Sequence, residues 1–457
     1  MKDIISTIKN RHLKDILIIF VAFVVAFCFL NFLGFANNYG DPINNYLFAY
    51  GIYNGQIPYL DFNIISTPLY AFYQSLFLFI YNDFVMINLS QAILVALTFY
   101  LLYKMFGWKS LLFLLVTVVS AYKNIVATYN YMCFFMMVLL IFLEKKYPKK
   151  DILIGIIIGL AILSKHTTGC FMIIPSIIFY RKDLKRLFRR FIGCLIPCLI
   201  FLIYLLVTGS FIQFIDLACF GLFDFSSNNG VGGGHYNYLW IILSFIILGI
   251  IIYLIFKNKK DINLYYFIFG FMFAFPLFDA THFVMFVNCL MICLLPYIKF
   301  NDKVIKTLVF SVSISVIVIF IYIWSCRVDL VFTKKLDHFK YTLHNRANYE
   351  SLCNLNDYVN TYDNPIVLGY FSMSHTLINE RDVSYFDVLY NGNFGYNGNK
   401  KMIERINDLH DQYFLVSRTD YDSDNEFSQI SREVMKYVMD NYKKVDSKYI
   451  FDVYYKE

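Results

Sequence analysis

Four apolar runs, Ile16 to Phe35, Phe191 to Val207, Tyr238 to Phe256 and Val304 to Trp324, each approach the length that crosses a membrane, and they constrain this chain more than anything else in it. A helix rises ~1.5 Å per residue, so about 20 apolar residues span the roughly 30 Å of a bilayer's hydrocarbon. Soluble domains carry about 25% charged residues; this chain of 457 residues carries 16%, with 58% hydrophobic and 20% aromatic. The solvent for most of it is lipid, and several such runs make a polytopic helical bundle.

The net charge of +7 does not call for a nucleic-acid partner, because Lys and Arg gather in short clusters between apolar runs. Cytoplasmic loops accumulate such clusters. Those at Lys2/Lys9/Arg11/Lys14, Lys104/Lys109, Lys145/Lys146/Lys149/Lys150, 181–190, Lys257/Lys259/Lys260 and Lys299/Lys303/Lys306 are therefore placed inside, with the N-terminus. Parity is then met by eleven spans, near 16–35, 84–106, 109–122, 125–143, 152–164, 167–180, 191–208, 238–256, 262–279, 281–298 and 303–325. The segment 66–82 either lies on or dips into the outer surface or forms part of a longer or extra crossing. Segments 36–66, 122–130, 164–168, 209–237, 279–282 and all after Trp324 fall outside.

From about Arg327 the composition turns charged and rich in Asn and Asp, which predicts a soluble outer α/β domain at 327–457 beside a membrane domain at 1–326. Helical patterns occur near 349–360, 398–409 and 426–442, and strand-like runs at 366–369, 413–417 and 449–455. The turn-rich Asn391 to Gly398 reads as a structural loop, and Asn228 to Tyr236 as linker or an acceptor-side loop. Cys194 with Cys198, and Cys289 with Cys293, share helix faces within apolar runs, where cysteine acts as a small core hydrophobe; no metal site is expected.

Three outer segments carry residues suited to chemistry. The first loop holds Asp41-Pro42, then Gly55-Gln56-Ile57-Pro58-Tyr59-Leu60-Asp61 and Thr67-Pro68-Leu69. Asp41 follows the first helix closely, so it either takes a proton from an incoming hydroxyl or caps a helix that Pro42 begins. The second segment is Ser164-Lys165-His166-Thr167-Thr168-Gly169, between two short apolar halves. A cation there is costly, and snorkelling to the interface competes with phosphate binding as its reason. The third is Pro276 to His282, where Asp279 and His282 stand at i,i+3, a spacing that shares one face of a helical turn.

The first loop resembles that of the GT-C superfamily of membrane glycosyltransferases, nearest to bacterial relatives of dolichyl-phosphate-mannose-protein mannosyltransferases and lipid A aminoarabinose transferases. Gly55 to Asp61 and Thr67-Pro68-Leu69 carry the likeness, and Pro276, Asp279 and His282 match a Pro-x-x-Asp-x-x-His pattern of the same branch. The resemblance implies a polyprenyl-phosphate-sugar donor, an envelope glycan, lipid or protein as acceptor, and Asp41 as catalytic base; the sequence shows no convincing ligand set for a metal, and no cofactor is expected. Where many members have a second acidic residue after that base, this chain has Pro42, which raises Asp61 as partner or substitute. Lys165, His166, Asp279, His282 and Tyr59 are the residues expected to bind substrate.

A phosphate leaving group needs little acid assistance, so the demands are a carboxylate for the acceptor proton and cations for the developing phosphate charge. A transporter or lipid-linked-glycan flippase is the competing class. It is disfavoured by the lack of repeated halves, by polar residues gathered at one face, and by the sizeable outer domain.

Overall fold

The computed structural model describes residues 2–33, 41–113, 128–229, 238–275, 278, 280–299, 301–307, 310–311, 314, 354–356, 358–369, 371–421 and 431–457. Its membrane part consists of α1 (Lys2–Leu33), α2 (Asp41–Tyr53), α3 (Leu69–Leu78), α4 (Phe84–Phe106), α5 (Tyr129–Lys146) and α6 (Asp151–Ser164). Then come α7 (His166–Gly169), a 3-10 turn (Cys170–Ile173), α8 (Ile174–Tyr180) and α9 (Leu184–Val207). After these follow α10 (Phe211–Phe214), a π-helical turn (Ile215–Phe220), α11 (Gly221–Asn229), α12 (Tyr238–Lys257), α13 (Ile262–Ile268), α14 (Phe271–Ala274) and α15 (Ala280–Leu294).

Among the described residues three helical stretches are both long and apolar enough to cross a membrane: Phe84–Phe113, Leu184–Val207 and Tyr238–Lys257. The first is mostly buried inside the bundle, whereas the other two turn outward, with Ile200 at 64% and Val207 at 81% exposed. Such apolar surface is stable only against lipid. The expected spans 109–122 and 303–325 lie largely outside the described residues, so the count of eleven stays an expectation. α3 has ten residues, ~15 Å of rise, too little to cross alone.

Close packing fixes how α6 lies on α9. Gly155 and Gly159 of α6 face Gly193 and Pro197 of α9, and a methyl group at Gly155 or Gly193 would collide with the backbone of the other helix. Small residues at four-residue spacing let two helices approach where no hydrophobic force drives them together.

The segment expected as linker or loop at 209–237 is helical over 211–229, and 230–237 lies outside the described residues. The physical reason is visible in Phe211, Phe214, Leu217, Ala218 and Gly221, an apolar and small series at helical spacing.

The C-terminal part contains β1 (Ile366–Leu368), α16 (Ser372–Ile378), α17 (Gly398–Asn407), β2 (Gln412–Ser417), α18 (Arg418–Tyr421), α19 (Arg432–Asn441), β3 (Lys443–Lys448) and β4 (Phe451–Lys456). The sheet runs β1-β2-β4-β3, with β1 and β2 parallel and the other pairs antiparallel. β3 and α16 were not among the expected elements. β3 is exposed at all six residues and shows no apolar alternation, and α16 is a seven-residue stretch rich in Ser and Thr.

The hydrophobic core of this sheet does not stop at the domain boundary read from composition. One continuous cluster joins Val367, Phe414, Leu415, Val434 and Phe451 to Ile43, Leu47, Tyr50, Tyr59, Phe62 and Ile64. α2 and the first loop are thus packed with the C-terminal domain, while a second cluster, including Tyr131, Phe134, Ile154 and Phe286, fills the bundle.

Candidate functional site

Asp41 begins α2 and Pro42 follows it, so the backbone has the helix-initiating arrangement that Asp-Pro favours; the Asp41 side chain lies outside the described residues. Beyond α2 the loop tightens at Ile57–Asp61, where the Asp61 carboxylate accepts the Ile57 N–H at 2.6 Å while its residue remains exposed. Tyr59 adopts a left-handed backbone (φ 72°), its ring is fully buried against Phe214, and its hydroxyl donates to the Ser66 carbonyl at 2.7 Å. In this conformation Tyr59 holds the loop and presents no surface to a sugar.

The C-terminal domain grips this loop through side-chain and backbone amides. Gln56 donates to the Val383 carbonyl and accepts the Val383 N–H, both at 2.8 Å, a paired bond like that of adjacent strands. Asn63, fully buried, donates to the carbonyls of Val388 at 3.3 Å and Asn393 at 3.0 Å. The Tyr385 hydroxyl donates to the carbonyls of Tyr59 and Leu60, and the Arg405 guanidinium covers its ring at 3.8 Å.

A second contact joins the same domain to the π-helical turn. Asp216 pairs with Lys401 and accepts the Tyr396 N–H, and Asp224 accepts the Asn397 N–H at 2.7 Å. The turn-rich 391–398 loop is therefore structural: Gly392 and Gly395, with φ near 80°, let its backbone approach Phe225 and Asp216 more closely than a side chain would permit.

Lys165 stands at the tip of a helical hairpin. Its extended backbone (φ −152°, ψ 97°) ends α6, and a helical course resumes at His166. The hairpin is tight because Gly169 lies directly against the Ala161 backbone, where no Cβ fits. Lys165 is 7% exposed and its ammonium lies 5.5 Å from the centre of the Phe273 ring.

Three distant parts of the sequence meet at this tip. Thr67, from the Thr-Pro-Leu motif, donates to the Ile162 carbonyl at 3.0 Å, and Thr168 donates to the Met272 carbonyl at 3.2 Å. The His166 ring approaches the Ala218 backbone in the π-helical turn, yet neither ring nitrogen completes a hydrogen bond among the described residues. π-turns recur at functional sites because they displace side chains from helical register.

His282 is half-buried in the first turn of α15, next to Phe283, whose ring meets Trp240 at 4.9 Å. Pro276 and Asp279 lie outside the described residues, as do Tyr122, Lys123 and Asn124. The structure thus brings together the end of the first loop, the Lys165–Thr168 tip and α14 at Met272.

Three features were missed from sequence. The Gln56 and Asn63 contacts carry no local signal, because an amide's partner more than 300 residues away leaves no periodic trace. A neutral chain of Gln74, Tyr70 and Gln91 lies buried within apolar helices. The third is an ion cluster at the opposite end of α6. Arg190, fully buried, binds both oxygens of Glu144, Asp151 Oδ1 at 3.0 Å and Ser176 Oγ at 2.9 Å. Its members sit at the edges of apolar runs, Glu144 beside Lys145 and Arg190 in the basic cluster 181–190, where sequence gives them no mark apart from their charged neighbours.

No family model and no curated protein matches this sequence. Among solved structures the fold is similar to ArnT from Cupriavidus metallidurans bound to undecaprenyl phosphate, with a TM-score of 0.54 and 10% identity over 96% of this chain and 97% of that one. ArnT is a lipid A aminoarabinose transferase of the GT-C superfamily. The likeness establishes a mainly helical, ArnT-like membrane fold with a small C-terminal sheet, and it runs in the same direction as the resemblance carried by the first loop.

Proposed function

We propose that this chain is an integral membrane glycosyltransferase of the cell membrane that moves a sugar from a polyprenyl-phosphate-sugar to an acceptor on the outer side. One observation carries the reading: the contact of Thr67 with Ile162, which seats the end of the first loop against the Lys165 tip, in a fold that in ArnT holds undecaprenyl phosphate.

In this reading Lys165, with His166 and His282, balances charge on the phosphate as the glycosyl bond breaks. Asp41 takes the proton of the attacking acceptor hydroxyl, with Asp61 as its partner or substitute. The oxygen of the acceptor attacks the anomeric carbon as the phosphate departs with the bonding pair, so one displacement inverts the anomeric configuration. Asp279, next to α15 in the sequence, completes the set. The acceptor is an envelope glycan, lipid or protein, and no resident cofactor is required by this chemistry.

The test is transfer from undecaprenyl-phosphate-sugars by the full-length protein in nanodiscs, with Asp41→Asn beside the wild type. Loss of a catalytic base lowers turnover by about 10²- to 10⁴-fold, with undecaprenyl phosphate binding retained. Unchanged turnover removes Asp41 as base, and a retained anomeric configuration removes the single displacement. Mass comparison of surface glycans with and without the gene identifies sugar and acceptor.

A further inference from the structure

α3 and α4 place three polar side chains in one hydrogen-bonded chain inside the apolar bundle. Gln74 Nε2 donates to the Tyr70 hydroxyl at 2.9 Å, and that hydroxyl donates to Gln91 Oε1 at 2.9 Å. Gln74 and Gln91 are fully buried and Tyr70 is 1% exposed. Both ends of the chain stay open: Gln74 Oε1 and Gln91 Nε2 have no hydrogen-bond partner among the described residues.

One open end accepts and the other donates. Exchanging O and N in both amides reverses the direction of the chain and still leaves one acceptor and one donor, so the conclusion does not depend on how the amides are turned. Buried amides are ordinarily satisfied, and an unsatisfied one in an apolar setting is a net cost to the fold. A fold that needed only packing here is served better by leucine at both positions. Two complementary vacancies at the ends of one chain therefore point to a ligand that brings both functions on an uncharged body.

The location narrows the ligand. Tyr70 lies one helical turn beyond Thr67, whose hydroxyl bonds Ile162, and Ile162 lies about one turn before Lys165. α3, which carries Tyr70 and Gln74, thus begins where the first loop meets the helix that leads to the tip assigned to the phosphate. A sugar ring next to that phosphate carries neighbouring hydroxyls, each of which both donates and accepts. An ion has no counter-charge in this chain of neutral groups.

We propose that Gln74, Tyr70 and Gln91 form the subsite for the hydroxyls of the donor's sugar, one hydroxyl donating to the open carbonyl and its neighbour accepting from the open amino group. The proposal rests on the glycosyltransferase reading above and adds the part of the donor these residues recognise.

Full-length protein in nanodiscs is titrated with undecaprenyl phosphate and, separately, with undecaprenyl phosphate glucose and undecaprenyl phosphate mannose. Gln74→Leu and Gln91→Leu are compared with the wild type, and their thermal midpoints are measured without ligand. The expected result is a loss of about tenfold or more in affinity for the sugar-bearing lipids, the scale of one lost hydrogen bond to a sugar hydroxyl. Affinity for the bare lipid phosphate stays unchanged, and the midpoint is equal or higher. A lower midpoint, or parallel loss of both ligand types, shows a structural network and overturns the subsite. A wild type that binds the bare lipid phosphate and gains nothing from either hexose also overturns it, while the lipid-phosphate reading stands. If the wild type binds none of the three lipids, the reading of function itself fails.

Discussion

The two ends of α6 handle polarity in opposite ways. At its start, Asp151 joins a cluster in which two carboxylates, two guanidiniums and two phenols share bonds: Arg190 with Glu144 and Asp151, Arg186 with Asp151, and the Tyr266 and Tyr180 hydroxyls with Glu144 at 3.0 and 3.5 Å. Arg186 and Arg190 lie over the Tyr180 ring at 4.0 and 4.2 Å. At its far end, ~21 Å away over fourteen residues, lie the Lys165 tip and the His166 ring, whose two nitrogens have no hydrogen-bond partner among the described residues. The first arrangement is closed, and the second keeps polar atoms available. A closed charge network locks helices, whereas polar groups kept unsatisfied at a cost to stability are suited to meet a ligand.

If that contrast holds, the closed end is the costlier one to open. Arg190→Leu strands Glu144 and Asp151 without their principal partner inside the bundle, and breaking a buried pair in this way costs about 3–5 kcal/mol. Thermal unfolding in detergent falls strongly, while the folded fraction keeps undecaprenyl phosphate affinity, because the lesion is at the wrong end of α6 to touch the ligand. A small change in midpoint breaks the contrast.

Acid tests the C-terminal domain instead. His375 in α16 is buried, and burial, helped by the nearby Arg381, pushes its imidazole down to about 3 from an ordinary value of 6.5. The folded domain thus binds fewer protons than the unfolded chain between those limits. The resulting stability is complete above pH 6.5 and is lost as pH falls from 6.5 to about 3. Asp387 works in the other direction: burial pushes its carboxyl up, partly offset by hydrogen bonds from Thr376, the Ser384 N–H and Ser372, so its contribution is lost as pH rises through that raised value. Hydrogen exchange of 366–417 is expected to accelerate below pH 6.5, and His375→Leu to move that onset to lower pH. Acid-independent exchange removes His375 as the cause.

Much of this was legible in the chain before its folding, and the division has a physical basis. Hydrophobic length and Lys/Arg placement report the solvent directly, so the bundle and the change of composition near Arg327 could be read. The outer strands at 366–368, 412–417 and 451–456 carry apolar side chains buried on both faces and were anticipated. Lys165 stood out because a cation between apolar halves is costly. Gln56, Asn63, Gln74 and Gln91 gave no such sign. An amide is cheap to place in a sequence, and its meaning lies entirely in the partner that the fold supplies or withholds.

Gln56 sharpens the comparison at a smaller scale. Gln56→Ala removes the acceptor of the Val383 N–H and the donor to its carbonyl. Loss of such bonds costs about 1–3 kcal/mol, and exchange of the Val383 amide accelerates about tenfold or more. Transfer falls with it if the outer domain positions the loop that begins at Asp41. Faster exchange with unchanged turnover separates holding the loop from catalysis.

The smallest effect belongs to Lys401. Its pair with Asp216 is formed by two side chains that are each about a third or more exposed, 41% and 31%. Water and salt screen such a pair, and exposed pairs contribute about 0.2–1 kcal/mol. Asp216 keeps the Tyr396 N–H whatever happens to Lys401. Lys401→Ala therefore moves the thermal midpoint little, and the difference from wild type shrinks further in 1 M salt. A loss rivalling that of Arg190→Leu means that the outer seam is held by charge as tightly as the buried end of the bundle, and the distinction between the two ends of α6 no longer stands.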